Sequence, residues 1–394
     1  MNRLIIYSSI LCVSLVQVLS AQVQTRSLPK TGFEQRIHDV VFAIRLIDTH
    51  EHLMSEKDAL AGAAKDLCGI DDLNEHTYQE LSKRIQADHH KGYYENILKK
   101  IAKIDACLIM EYNSVHPRDV ESEGECNFKS LFVYDKYCSF FGYDKMKSRL
   151  SDYSKDFASL QEFESLIDSV FEQDVKKGIQ GAKFGVAYYR TLKFDDVPRE
   201  TANAVFEKMK ASPGHNFSFE EAKPLQDFVF FKILSLCNKY KLPVQIHTGL
   251  QTGSGNDITN SNPTGLVKTF FKFPGVKFCL LHSGYPYGGE MSTLAKNFPN
   301  VYIDMAWSAL ISPSYTKRYL QEFIETVPAN KIMAFGGDNQ TVEGAYGASV
   351  LARETVEETL TRMVKNGYLT EEEAVDIAKK ILRENAISIY KLKF

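Results

Sequence analysis

With 394 residues, 44% of them hydrophobic, the chain can fill one large core or two ordinary ones. Its formal net charge of −3, with no basic block in either half, excludes electrostatic capture of nucleic acid. The cysteines are scattered without a Cys-x-x-Cys pair, which argues against a zinc knuckle.

The first residues read as a secretory signal. Arg3 precedes the apolar run from Leu4 to Leu19, and Ser20-Ala21 supplies small side chains before Gln22. The run falls short of the roughly 20 apolar residues of a membrane span, and no other segment qualifies. The expectation is a signal peptide over residues 1–21 and an exported protein, periplasmic or secreted, without stable membrane insertion. In an oxidising compartment Cys126 and Cys138 can pair.

Strand candidates then follow at 42–49, 106–110 and 131–134. From about residue 160 strands and helices alternate. A helix over 160–177 precedes a strand at 179–186, and 224–240 leads into 244–247. Residues 265–273 precede 276–282, 290–297 precede 301–304, and 315–326 precede 331–335. Helices close the chain at 351–365, at 370–383 and toward Tyr390. Short apolar strands separated by helices specify a parallel sheet covered on both faces. Eight candidates match a closed (β/α)₈ TIM barrel over residues 40–394. Polar, mostly helical stretches at 53–104 and 136–160 exceed ordinary connections and read as insertions over the C-terminal face of the strands. An open doubly wound sheet is the alternative, but no glycine-rich nucleotide loop follows the first strand.

Polar residues cluster at the strand ends. His50-Glu51-His52 closes the first apolar run. Residues i and i+2 of a strand share a face, so the two imidazoles can meet at one point while Glu51 faces away. His247 ends the fifth strand, His282 the sixth, and Asp338 follows the eighth after Gly336-Gly337. A barrel of this kind carries its chemistry on that rim. Neutral imidazoles with one carboxylate suit Zn²⁺, and also Mn²⁺ or Fe²⁺. His76, His89, His90, His116 and His215 lack this setting and read as surface or lid residues.

In this pattern the chain resembles the amidohydrolase superfamily, and within it the amidohydrolase-2 branch. The stretches 242–249, 281–286 and 300–304, with Ala182-Lys183 to Arg190, are similar to the amidohydrolase-like region of plant nodulin/glutamine synthetase fusion proteins. The resemblance implies a metal shell of His50, His52 and His247, with Asp338 as ligand and general base. His282 would hold a second metal or polarise a substrate carbonyl. It leaves Lys183 open: a carbamylated bridge between two ions, a structural ion-pair partner, or a contact to a substrate carboxylate. One or two ions follow accordingly. Arg190, Tyr285, Tyr287 and Trp307 stand just past strand ends as candidate substrate contacts; Arg190 can hold an anion bidentately or form a rim salt bridge.

The expected activity is hydrolysis of an amide, lactone or related ester of a small molecule by metal-activated water. A metal-dependent decarboxylase or uronate-type isomerase uses similar ligands on the same fold, and a non-catalytic binding barrel is the rival of another class. Homo-oligomerisation is compatible with the chain but not specified by it.

Overall fold

A computed structural model describes residues 30–52, 80, 83–84, 87, 92–112, 126–151 and 157–394. The expected signal segment, Cys12, Cys68, His76, His89, His90, His116 and most of the expected 53–104 insertion lie outside the described residues. Among the described residues eight strands form one sheet in sequence order. They are β1 Leu46–Glu51, β2 Ile104–Glu111, β3 Phe128–Val133, β4 Gly181–Phe184, β5 Val244–Ile246, β6 Phe278–Leu280, β7 Val301–Asp304 and β8 Ile332–Met333. Every ladder from β1·β2 to β7·β8 is parallel. This is a nearly closed (β/α)₈ barrel, as the eight strand candidates predicted.

The seam between β8 and β1 is closed by isolated backbone bonds. Thr49 N–H donates to the Phe335 carbonyl (3.3 Å), Asp338 N–H to His50 (2.8 Å) and His52 N–H to Asn339 (3.0 Å). Alternation along the short strands sorts side chains between two layers. Ala182, Phe184, Val244, Ile246, Phe278 and Leu280 pack outward against the helices. Ile47, Leu108, Leu131, Cys279 and Met333 fill the barrel interior, together with Tyr390 and Leu392 from the C-terminus.

Several boundaries differ from expectation, and three of them have a local reason. Phe42 belongs to a helix, Gly32–Ala43, which opens at Thr31 with a Glu34 capping box and buries Ile37 and Val41; β1 therefore starts at Leu46. The helix before β5 spans Phe219–Tyr240 and begins at Ser218, where Ser218 and Glu221 cap each other. Pro224 lies inside it, so the Glu220 carbonyl is left without its helical N–H donor. The helix Val342–Lys365 starts nine residues before 351 because Thr341 caps it, its side chain accepting from the Gly344 N–H (3.2 Å). Cys138 is a buried thiol donating to the Tyr134 carbonyl, so the Cys126–Cys138 disulfide is not formed. Among the described residues no helix is long and apolar enough to cross a membrane.

Candidate metal centre

The strand ends bring the expected residues to one rim. His50 Nε2 lies 3.1 Å from His52 Nε2, and the two nitrogens lie 3.4 and 3.2 Å from Asp338 Oδ1. These three offer ligand atoms that all fall within 4.8 Å of one another. Lys183 Nζ, at the end of β4, stands 3.3 Å from His50 Nε2. His247 is not within that close group. It pairs with His282 instead, Nδ1 to Nε2 at 3.0 Å. His282 in turn reaches toward the first group, its Nδ1 3.8 Å from Asp338 Oδ2.

The histidine pair is itself informative. His282 Nδ1 lies 3.0 Å from the Ala306 carbonyl, and His247 Nε2 lies 3.0 Å from the Leu250 carbonyl. A carbonyl only accepts, so each of those nitrogens carries the ring's hydrogen. The facing nitrogens then both present lone pairs at 3.0 Å. Such a pair calls for a cation between or beside it, and burial, which drives both rings below their usual range, disfavours a proton. The donor set therefore fits a divalent ion: imidazole nitrogens and one carboxylate.

Burial favours the neutral form of His50, His247 and His282. It lowers His50 well below its ordinary value, with the Lys183 charge adding to the effect, and it lowers His282 to about 4. Burial also acts against Asp338, but the imidazoles of His50, His52 and His282 around its carboxylate outweigh this and hold it well below the usual range. Lys183 is lowered to about 8 by burial, opposed by Asp338, Asp135 and Asp304. At neutral pH His50, His247 and His282 thus stand as uncharged nitrogen donors beside the Asp338 carboxylate and the Lys183 ammonium.

A second layer aims Asp338. Its φ of 55° is left-handed, and the loop that imposes it is tied to β1 from both sides. Gly337 N–H donates to Asp48 Oδ1 (3.1 Å) and Asn339 N–H to Glu51 Oε2 (2.7 Å). A Cβ on Gly337 would lie 1.8 Å from Glu51 Oε1, so any side chain there would have to displace the Glu51 carboxylate. Glu51 thus points away from the two imidazoles, as the alternation predicted, and serves the loop. Burial pushes Asp48 up to about 7, and burial with the nearby Asp48 pushes Glu51 well above the carboxylate range.

The softer candidates divide. Trp307 meets the His282 ring edge-on at 5.6 Å between centroids and lines the rim. Tyr285 packs on Tyr315, and Tyr287 donates to the Ile258 carbonyl. Arg190 is corrected: its side chain is fully buried, donating to Asp227 Oδ1 (2.6 Å) and Gln226 Oε1 (3.0 Å) and stacked over Phe194, so it is committed to an internal ion pair rather than to a ligand. Two residues went unnoticed as site candidates. Tyr112, just past β2, has its hydroxyl 3.1 Å from His52 Nδ1, and Tyr188 packs its ring 4.8 Å from that of His247. Their positions immediately after strand ends were the available signal.

A parallel barrel with histidine and aspartate donors gathered on its C-terminal rim defines a metal-centre scaffold. The amidohydrolase profile matches residues 182–392, more than half of the chain. The chain belongs to the amidohydrolase superfamily, in its amidohydrolase-2 branch. It is similar to Protein fluG of Emericella nidulans, with 34% identity over 180 residues; the match covers 44% of this chain and 20% of that protein, so the chain spans about a fifth of that relative's length. Its fold is similar to glucuronate isomerase from Caulobacter crescentus, with TM-score 0.76, 14% identity, and 94% of this chain and 97% of that one covered. Uronate isomerase from Thermotoga maritima gives TM-score 0.75 at 15% identity over 92% and 98%. At such identities the likeness concerns the fold.

Proposed function

We propose that the chain is a metal-dependent hydrolase acting on an amide, lactone or related ester of a small molecule. The ion, taken as Zn²⁺, is assigned to His50, His52 and Asp338. A second is assigned to the His247–His282 pair if Lys183 carries a bridging carbamate. The carrying observation is geometric: ligand atoms of His50, His52 and Asp338 lie within 4.8 Å of one another, with the His247–His282 pair beside them. A divalent ion held there would act as a Lewis acid and would lower the pKa of water toward about 7. Asp338 accepts the proton of the attacking water at its carboxylate and returns it to the leaving group. If Lys183 is not carbamylated, it is protonated below about 8 and donates from Nζ to a substrate oxygen. Trp307 and Tyr188 flank the histidines and limit access of bulk water.

A uronate-isomerase reading stands second, supported by two structures of that kind that share the fold over more than 90% of both chains. Product mass separates the two. Elemental analysis, followed by incubation of the metal-loaded protein with panels of amides, lactones, esters and uronates, should yield products that together gain one water. Asp338→Asn should lower kcat by at least about 100-fold. Turnover confined to uronates with unchanged mass would replace hydrolysis by isomerisation. A protein that binds neither Zn²⁺ nor Mn²⁺ would remove both readings.

A further inference from the structure

Below the rim a column of hydrogen bonds runs from the barrel floor to His50. The C-terminal helix Asn385–Tyr390 enters the floor, and Ile389 and Tyr390 pack with Ile47, Leu108 and Met333 in the interior cluster. Gln245, on β5, is wholly buried above them. Its Nε2 donates to the Tyr390 hydroxyl (2.8 Å) and to the Thr49 carbonyl (2.6 Å).

The Thr49 contact settles which way the amide points. A backbone carbonyl has no hydrogen to give, so the nitrogen end of Gln245 must face it. The oxygen end is then the one that lies 2.8 Å from His50 Nδ1. An amide oxygen only accepts, so Nδ1 carries the hydrogen. Lys183 Nζ has only hydrogens to give and stands 3.3 Å from His50 Nε2, so that nitrogen is the accepting one. His50 Nε2 therefore keeps its lone pair on the side facing His52, Asp338 and Lys183.

We propose that Gln245, locked by Thr49 and by Tyr390 of the C-terminal helix, is the positioning residue that holds His50 in its Nδ1–H tautomer. The helix that plugs one end of the barrel thereby supports the ligand geometry at the other. The tautomer follows from protein contacts alone; its consequence for metal affinity rests on the assignment of His50 as a ligand.

Two measurements on the full chain test this. In metal-free protein with ¹⁵N-labelled histidine, long-range ¹H–¹⁵N correlation reads the tautomer of His50, assigned by comparison with His50→Gln. The wild type should show Nδ1–H, and Gln245→Leu should lose that preference. An Nε2–H wild type, or a Gln245→Leu variant that keeps the Nδ1–H form, overturns the proposal. Chelator competition with Zn²⁺ reads the consequence. Gln245→Leu should weaken binding by about 10–100-fold, the usual effect of removing a partner behind a metal-ligating histidine, and Tyr390→Phe by a smaller factor. Tyr390→Phe keeps the ring that fills the floor, so it carries both readouts if Gln245→Leu fails to fold. Unchanged Zn²⁺ affinity in both variants overturns the link between floor and rim. If the wild type binds no Zn²⁺, the metal assignment falls while the tautomer measurement still decides the role of Gln245.

Discussion

At the scale of single residues, the centre depends on charges that are handled one layer beneath it. Asp304, at the end of β7, is fully buried. Thr49 Oγ1 lies 2.9 Å from Asp304 Oδ1 and 2.8 Å from the Phe335 carbonyl. The hydroxyl has one proton and the carbonyl can only accept, so Thr49 gives its proton to Phe335 and a neutral Asp304 can donate to Thr49. Burial raises Asp304 from 3.8 to about 7, in agreement with that arrangement. Between those values the folded protein keeps a proton that the unfolded chain has released. The resulting stabilisation is complete below 3.8 and is lost as pH rises through about 7. Asp304→Asn keeps an acceptor and a donor in place but cannot ionise. Its unfolding free energy relative to the wild type should grow by about 2 kcal/mol, and at most about 4 kcal/mol, between about pH 4 and pH 8. Denaturant unfolding of both proteins at the two pH values measures the difference. A difference that stays flat or shrinks would contradict a protonated Asp304.

At the scale of elements, the segment after β4 is fastened to the helix Phe219–Tyr240 by charges rather than by apolar contact alone. Asp227 receives Arg190 Nη2 (2.6 Å), the Asp195 N–H (2.9 Å) and Lys223, and its side chain is fully buried. Removing one member of such a pair leaves the other as an unpaired internal charge. Asp227→Ala should therefore destabilise by about 3–5 kcal/mol, and the double change Arg190→Met with Asp227→Leu should recover much of that loss. Arg190→Met with unaltered stability and a raised KM would restore Arg190 to the substrate. Arg190 also marks the limit of what sequence could disclose. The rim donors were legible because a histidine or aspartate after an apolar strand and before a glycine or polar turn has few other placements. Arg190 occupied a similar strand-end position, but its partner lies 37 residues away on a helix, and only the packed structure brings them together. The orientation of His50 was hidden for a different reason. Ile47 faces the interior, so strict alternation would turn His50 outward; a register irregularity between Asp48 and Glu51 turns it inward to Gln245.

At the scale of the whole molecule, the proposed ligands straddle the one place where the barrel is not closed by a ladder among the described strands. His50 and His52 lie on the β1 side of the seam, Asp338 on the β8 side, and single backbone bonds join the two. An ion held by all three would bridge the seam directly, and because it binds the folded state it would stabilise the barrel by mass action. At a hundredfold excess over Kd this amounts to about 2.7 kcal/mol. For a chain of this length, about 1–2 °C per kcal/mol translates that into a rise in Tm of about 3–5 °C. His52→Ala and Asp338→Asn, on opposite sides of the seam, should each abolish the rise, whereas Lys208→Ala, at an exposed pair with Glu221, should preserve it. Thermal unfolding with and without Zn²⁺ makes the comparison. A rise that survives both substitutions would place the ion elsewhere than across the seam.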